Sequence, residues 1–272
     1  MLELPESFTI SQQIEKGLMG KKIASIEVGH SPHRFAFFKG DQEKYDERLE
    51  GQIIEGACSH GGLVEIDTKD TMIFLGDGAY PRYYEKGKRP KKHQFLIEFE
   101  DETAIAVSIQ MYGEIGVYPI DTCDDEYYLS SVSKPSPLSK KFTYSYFRGL
   151  YEDGRKLSAK AFLATEQRIP GLGNGVLQDI LWNAGIDPRF DMRKAEEKDF
   201  QNMYEAIRSI LEAMCKAGGR NTERDFYSSP CGYITQLSKN SLHEPCMKCG
   251  YEIQKAAYMG GTVYFCEHCQ KR

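Results

Sequence analysis

Apolar and polar residues alternate in short runs between residues 23 and 120. The clearest runs are Leu63–Asp67, Thr71–Leu75, Phe95–Phe99 and Thr103–Val107, with Gly, Asp and Lys clusters between them. A period of two is typical of strands in a β-sandwich or barrel, so the pattern predicts a mostly β first domain. Ahead of these runs, Ser11 is placed to cap a helix whose Ile14 and Leu18 share one face.

The spacing becomes helical in the second half of the chain. Apolar residues follow a helical period in Ser158–Thr165, in Val176–Ala184 and from about residue 194 to 216. Between the halves, Ser130–Ser139 has no periodicity and contains two prolines, which indicates a linker. We therefore predict an α+β multidomain chain with a β-sandwich at 1–129, a linker at 130–148, a helical domain at 149–232 and a cysteine-rich module at 233–272.

Four cysteines near the C-terminus have the spacing of a zinc site. Cys246 and Cys249 are separated by two residues, as are Cys266 and Cys269, and sixteen residues lie between the pairs. This spacing lets two turns present four thiolates to one zinc ion at about 2.3 Å. Because four sulfurs leave no open coordination position, the predicted ion is structural.

Other states of the cysteines remain open at this point. The four could form two disulfides or stay free, although disulfides are rare in a cytoplasmic protein, and His268 could replace one ligand. The remaining cysteines have no paired spacing and are predicted to be buried or incidental thiols: Cys58, Cys123, Cys215 and Cys231.

Charge and composition restrict the class of partner. The net charge of −5 argues mildly against a polyanionic partner, and most of the excess acid lies in the first half of the chain. A basic loop is either a local contact for DNA or a solvated surface: Lys86, Lys88, Arg89, Lys91 and Lys92. No stretch has the roughly 20 apolar residues of a membrane span, and the N-terminus has no secretory pattern, so we expect a cytoplasmic protein.

A glycine-rich turn separates two predicted helices. Gly171, Gly173 and Gly175 flank Leu172 and Asn174. Glycines permit close backbone approach, and the N-terminus of the next helix offers N–H groups to a phosphate. A tight connection without a ligand is the alternative interpretation.

These motifs, taken in order, resemble the formamidopyrimidine-DNA glycosylase and endonuclease VIII family over nearly the whole chain. The similar segments are Leu2–Glu6, Leu75–Gly76, Gly171–Asn174, Asp179–Leu181, Ala184–Pro188, Gly218–Gly219, Arg224–Phe226 and Cys269–Gln270. The resemblance implies a helix-two-turn-helix domain and a β-hairpin zinc finger. It also implies a catalytic Glu3 and contacts to DNA from Asn174, Lys160, Gly171 and Gly173.

Several functional positions depart from the family's pattern. Leu2 stands where the family has the proline whose amine attacks the sugar of the damaged nucleotide. A residue as bulky as Leu2 should hinder removal of Met1, which would leave the Met1 amine about 3.5 Å further out. Gly62 and Gly261 align with a lysine and with an arginine that grips phosphate. The family's wedge of Met, Arg and Phe is replaced near Asp77, Gln110 and Tyr112, of which Tyr112 is suited to stack on a base.

The resemblance therefore implies a base-excision-repair DNA glycosylase whose abasic-site lyase activity is weak or absent. The alternative is a degenerate homologue that binds damaged or abasic DNA without cutting it, and a zinc-containing protein-interaction module is a third class. We expect one zinc ion per chain and double-stranded DNA as the partner. We also expect a monomer without membrane attachment, located in a bacterial-type cytoplasm and on the nucleoid when bound to DNA.

Overall fold

The computed structural model describes residues 1–272 and contains two compact units. One unit comprises residues 1–133 and 223–231, and the other comprises residues 134–222 and 232–272. The helices are α1 (Leu4–Leu18), α2 (Tyr45–Leu49), α3 (Glu126–Ser133), α4 (Tyr144–Gly149), α5 (Ala159–Ala164), α6 (Val176–Ala184) and α7 (Glu197–Lys216). The strands are β1 (Ile23–Val28), β2 (Ala36–Lys39), β3 (Ile54–His60), β4 (Leu63–Thr68), β5 (Thr71–Tyr84), β6 (Phe95–Phe99), β7 (Ala104–Pro119), β8 (Gln254–Tyr258) and β9 (Gly261–Phe265).

The N-terminal unit is built on a seven-stranded sheet in the order β1-β6-β7-β5-β4-β3, with β2 parallel to β7. The two longest strands, β5 and β7, pair along most of their lengths, but their register shifts between Asp77 and Ala79. A bulge of this kind bends a strand and increases its twist. The bulge therefore divides the sheet into a half bordered by β4 and a half bordered by β6, and the predicted α+β fold class is confirmed.

Helix α1 begins earlier than the apolar pattern predicted. Glu3 is its N-cap and Pro5 lies in its first turn, where the missing N–H of proline leaves no gap in the helix. Ser11, expected to be the cap, lies inside the helix, and its hydroxyl is within hydrogen-bonding distance of two carbonyls, that of Ser7 at 2.8 Å and that of Cys58 at 2.7 Å, and donates its one proton between them. The expected cap was wrong because Pro5 fixes a start further upstream.

The C-terminal unit is helical and ends in the hairpin β8–β9. Aromatic side chains fill its interior, and Phe142, Phe147, Phe162 and Phe200 are fully buried. Helix α7 begins with a reciprocal capping box between Glu196 and Asp199. The stretch that lacked periodicity is partly helical, since α3 extends to Ser133. No helix of the protein is long and apolar enough to span a bilayer.

Residues 223–231 return to the N-terminal unit late in the chain. Phe226 is fully buried in that unit's core, and its carbonyl accepts a hydrogen bond from the Tyr83 amide at 2.9 Å. The Gln13 side chain holds the same segment through the Phe226 amide and the Asp225 carboxylate. The core of the N-terminal unit thus draws on two separate stretches of sequence.

Candidate functional site

The amino group of Met1 is held by a buried tyrosine. Its nitrogen donates to the Tyr80 hydroxyl at 2.5 Å, and the Tyr80 hydroxyl lies 3.3 Å from Glu223 Oε2, to which it donates. The Tyr80 side chain comes from β5, and Glu223 comes from the returning segment of the same unit. The amine is therefore fixed at one end of a hydrogen-bonded chain that ends in a carboxylate.

Leu2 has a structural role in the observed state. Its side chain is 3% exposed within the hydrophobic core, and its backbone N–H donates to the Asp77 carbonyl at 2.5 Å. An amide nitrogen is not nucleophilic, so Leu2 supplies no reactive amine while it follows Met1. The nearest amine is that of Met1, one residue earlier.

Asp77 lies on the bulge beside this amine. It has a left-handed φ of 56°, which is uncommon for a residue with a side chain. Burial raises the pKa of its carboxyl, whereas a hydrogen bond from Tyr127 and the positive charge of the N-terminus lower it. Gly78 follows, and a Cβ there would meet the Tyr112 carbonyl at 2.4 Å. The bulge therefore needs a glycine and places one carboxyl near the terminal amine.

Glu3 lies at the start of α1, and the pair Gly61–Gly62 lies in a turn of the sheet. Glu3 occupies the N-cap position of α1 without a capping hydrogen bond from its side chain, and it is 4% exposed near the positive end of the helix. Gly61 and Gly62 form the turn between β3 and β4, where the Ser7 hydroxyl donates to the Gly61 carbonyl at 2.5 Å. This turn carries no charged side chain of its own.

Residues Gln110–Tyr112 lie opposite the bulge in β7, and all three are exposed. The Tyr112 side chain is 42% exposed, with its hydroxyl 3.5 Å from the Met1 sulfur. Met111, which the sequence reasoning overlooked, is 73% exposed and is a large apolar side chain in solvent. Apolar and polar residues stop alternating regularly at these positions, and that irregularity was the sequence signal that could have identified Met111.

The basic loop of the N-terminal unit is largely neutralised within that unit. Lys86 pairs with Glu102 at 2.5 Å, and Lys88 pairs with Glu85 at 2.6 Å. Arg89 pairs with Glu98. Lys91 and Lys92 are exposed. The loop therefore presents less positive charge to a partner than its sequence suggested.

In the C-terminal unit, Lys160 and Asn174 both bind the backbone of the hairpin. Lys160 Nζ donates to the Tyr258 carbonyl at 2.8 Å, and Asn174 Nδ2 donates to the Thr262 carbonyl at 3.0 Å. Burial lowers the pKa of Lys160. Asn174 Oδ1 is buried and has no hydrogen-bond partner. The two residues therefore meet at the tip of the hairpin.

Gly261 joins this cluster. A Cβ at Gly261 would lie 3.4 Å from Lys160 Nζ and 3.6 Å from Asn174 Nδ2. Gly171, with φ 76°, opens the glycine turn that leads through Gly173 into α6. The structure thus brings together the glycine turn, Lys160 and Gly261.

The four cysteines of the finger converge on one point. Their sulfurs all lie within 4.8 Å of one another, with Cys246 to Cys269 at 3.8 Å and Cys249 to Cys266 at 3.5 Å. Sulfurs at about 2.3 Å from a tetrahedral ion lie about 3.8 Å apart, so the cluster fits a metal. The Trp182 indole N–H donates to the Cys246 sulfur at 3.4 Å.

The alternatives for these thiols do not hold. The sulfur separations exceed by far the roughly 2.05 Å of a disulfide, and none of the eight cysteines is part of a disulfide. His268 stacks on the Tyr251 ring with centroids 4.6 Å apart and lies outside the four-cysteine cluster.

Asp179 fastens the segment that precedes the finger. Its carboxylate accepts from the backbone N–H groups of Gln236, at 2.9 Å, and Leu237, at 2.7 Å. Asp179 is 1% exposed, and burial raises its pKa while these hydrogen bonds lower it. Asp179 therefore fixes the backbone of residues 236 and 237, which lead into the finger.

We expect Asp179→Ala to reduce the free energy of unfolding by about 3 kcal/mol, because two backbone N–H groups, one buried and one partly buried, lose their acceptor. Urea unfolding followed by tryptophan fluorescence measures the change through Trp182. Asp153→Ala is the matched control, since Asp153 is 76% exposed in a surface ion pair worth at most about 1 kcal/mol. Equal effects of the two variants would contradict the assigned role.

Comparisons with known proteins agree with this arrangement. Residues 1–157 match the profile of the formamidopyrimidine-DNA glycosylase N-terminal domain. The formamidopyrimidine-DNA glycosylase of Lactococcus lactis is 28% identical over the full length of both chains. The enzyme of the same name from Legionella pneumophila is 28% identical over 99% of this chain and 98% of its own.

Solved structures share the fold as well. The complex of Lactococcus lactis Fpg with DNA containing an abasic site has a TM-score of 0.85 at 25% identity and covers 99% of this chain and 100% of that one. A complex of the same protein with DNA containing N7-benzyl-Fapy-dG has a TM-score of 0.85 at 26% identity, again with 99% and 100% covered. Profile, relatives and fold together show that the chain belongs to the formamidopyrimidine-DNA glycosylase family.

Proposed function

We propose that the protein binds double-stranded DNA containing a damaged or abasic nucleotide and removes a damaged base from it. The observation that carries the proposal is the cluster of Lys160, Asn174 and the glycine turn at the finger hairpin. An ammonium group has three N–H donors and an amide has two. Each can therefore donate to a phosphate oxygen in addition to the hairpin carbonyl.

Base removal is assigned to the N-terminal unit. The damaged nucleotide leaves the stack before it reacts, and the exposed Met111 and Tyr112 are suited to fill the space that it vacates. The bond between the sugar C1′ and the base breaks, water adds to C1′, and the base leaves with a proton. Glu3 is the proposed general acid or base for this transfer.

Strand cleavage at an abasic site has different requirements. It needs an amine that reaches C1′ and forms a Schiff base, and Leu2 occupies the place of the family's proline. The Met1 amine remains a candidate nucleophile, with Tyr80 as its positioning residue. We therefore infer an enzyme whose lyase activity is weak, in preference to a homologue that only binds DNA.

Zinc is the metal proposed for Cys246, Cys249, Cys266 and Cys269. A site with four thiolates is closed, so the ion would hold the finger and leave the reaction to the N-terminal unit. The proposal further includes a monomer in the bacterial cytoplasm, associated with the nucleoid when DNA is bound.

Asn174→Ala tests the proposed phosphate contact. We expect the affinity for a duplex with an abasic-site analogue to fall by about 1–3 kcal/mol, the usual loss when a charged group loses a hydrogen-bond partner. Asn183→Ala is the matched control, because Asn183 is exposed on α6, the helix that follows the turn containing Asn174, and its side chain bonds to the Asp179 carbonyl. Unchanged affinity of Asn174→Ala in a low-salt titration would refute the contact.

A further inference from the structure

A second group of potential metal ligands lies in the N-terminal unit. Cys58 and His60 are two residues apart on β3, so their side chains share one face of the sheet. Glu65 is directly opposite Cys58 in the register of β3 and β4. One ligand atom from each of the three lies within 4.8 Å of the other two.

The separations match a coordination sphere. Cys58 Sγ is 3.3 Å from His60 Nε2 and 3.6 Å from Glu65 Oε1, and His60 Nε2 is 3.4 Å from Glu65 Oε2. A tetrahedral zinc ion with sulfur near 2.3 Å and nitrogen or oxygen near 2.0–2.1 Å separates such ligands by about 3.3–3.6 Å. The thiol and the imidazole face different oxygens of Glu65, which suits a carboxylate bound through both oxygens or turned slightly onto one.

The surroundings also resemble a metal site. The Tyr128 hydroxyl donates to Glu65 Oε2 at 2.5 Å, and its ring packs edge-on against His60 with centroids 6.1 Å apart. Outer hydrogen bonds of this kind orient ligating carboxylates and raise metal affinity. The His60 side chain is 25% exposed and that of Glu65 is 12% exposed, so solvent reaches the group.

The other histidine and carboxylate group of this unit has a different geometry. Glu27, His30 and His93 are also close together, but the two imidazoles stack at 4.5 Å with only 11° between their planes. A metal lies near the plane of each imidazole that binds it. The planes of two rings stacked at this small angle meet only far from either ring, so this group is better explained as a hydrogen-bonded stack.

We propose that Cys58, His60 and Glu65 bind one divalent transition-metal ion, with zinc as the expected ion. Three protein ligands leave a fourth coordination position for water or another small ligand, in contrast to the closed finger site. Binding releases the thiol proton to solvent, so the site carries a thiolate, a neutral imidazole and a carboxylate. The ligand His60 immediately precedes the Gly61–Gly62 turn.

Metal analysis of the full-length protein tests the proposal. Purified protein supplied with zinc at neutral pH and freed of loosely bound ions by gel filtration should contain two zinc ions per chain. Cys58→Ser and His60→Asn should each retain one, because the finger is intact. Cys123→Ser is the matched control, since Cys123 lies in the same unit outside both clusters, and it should retain two.

Cobalt binding provides a second measurement that does not depend on recovery of zinc. Added Co²⁺ should occupy one site with a single-thiolate charge-transfer band, which disappears in Cys58→Ser and persists in Cys123→Ser. Tyr128→Phe should weaken this binding about 10-fold, because it removes only the outer hydrogen bond. The proposal fails if the wild type shows no such band, or if the band survives in both Cys58→Ser and His60→Asn.

Discussion

Cys266→Ser is expected to release the finger metal, unfold the β8–β9 hairpin and weaken binding to an abasic-site duplex by at least about 100-fold, or about 2.7 kcal/mol. Cys266 is fully buried, and the small finger core otherwise contains few apolar side chains. In such modules metal binding supplies about 10 kcal/mol or more of the folding free energy. Loss of the hairpin also removes the carbonyls that position Lys160 and Asn174.

Zinc content, hydrogen exchange of the hairpin amides and duplex affinity together measure this outcome. Cys215→Ser is the matched control, because Cys215 is on α7 and belongs to neither metal cluster. Full zinc content and unchanged affinity in Cys266→Ser would contradict the assigned role. The finger and the second site are distinguishable, since Cys266→Ser and Cys58→Ser should each remove a different ion.

The second large effect concerns strand cleavage. We expect the wild type to nick an abasic duplex at least about 100-fold more slowly than the Lactococcus lactis relative. Misplacing a reacting group by about an ångström can lower the rate about 100-fold, and the Met1 amine is displaced by a whole residue. Glu3→Gln should lower removal of a damaged base by about 100-fold or more, as expected for loss of a general acid or base. The two activities are measured separately, by nicking and by release of free base.

Leu2→Pro provides a gain-of-function test of the same argument. Proline permits removal of Met1 and places a secondary amine where the Leu2 nitrogen now bonds to the Asp77 carbonyl. Nicking and borohydride trapping on an abasic duplex should both increase. Leu2→Ile is the control, because a bulky residue should retain Met1 and leave both readouts low. Efficient nicking by the wild type, with a trapped adduct on Met1, would show instead that the displaced amine is competent.

Local patterns predicted much of the fold. The run Phe95–Phe99 is strand β6, and Val176–Ala184 is helix α6. Both could be predicted because their apolar residues follow a regular period and turn-forming residues flank them. The cysteine spacing located the finger cluster for the same reason, since both pairs lie in short turns.

Long-range features were not accessible from the sequence. The contact between Met1 and Tyr80 depends on strand register across 79 residues, and no local pattern encodes it. The bulge at Asp77 and the exposure of Met111 follow from pairing between β5 and β7. The opposed placement of Cys58 and Glu65 likewise requires the register of a hairpin, so these thiol and carboxyl groups appeared unrelated in the sequence.

The return of residues 223–231 to the N-terminal unit has a consequence for synthesis on the ribosome. Phe226 is fully buried in that unit's core, so the core lacks a side chain until most of the chain has been translated. The N-terminal unit therefore cannot finish folding until residue 231 has been translated, whereas a domain made of one continuous stretch can fold as soon as that stretch has emerged. For the same reason, an exchange of domains between two relatives must carry residues 223–231 together with residues 1–133 to keep that core intact.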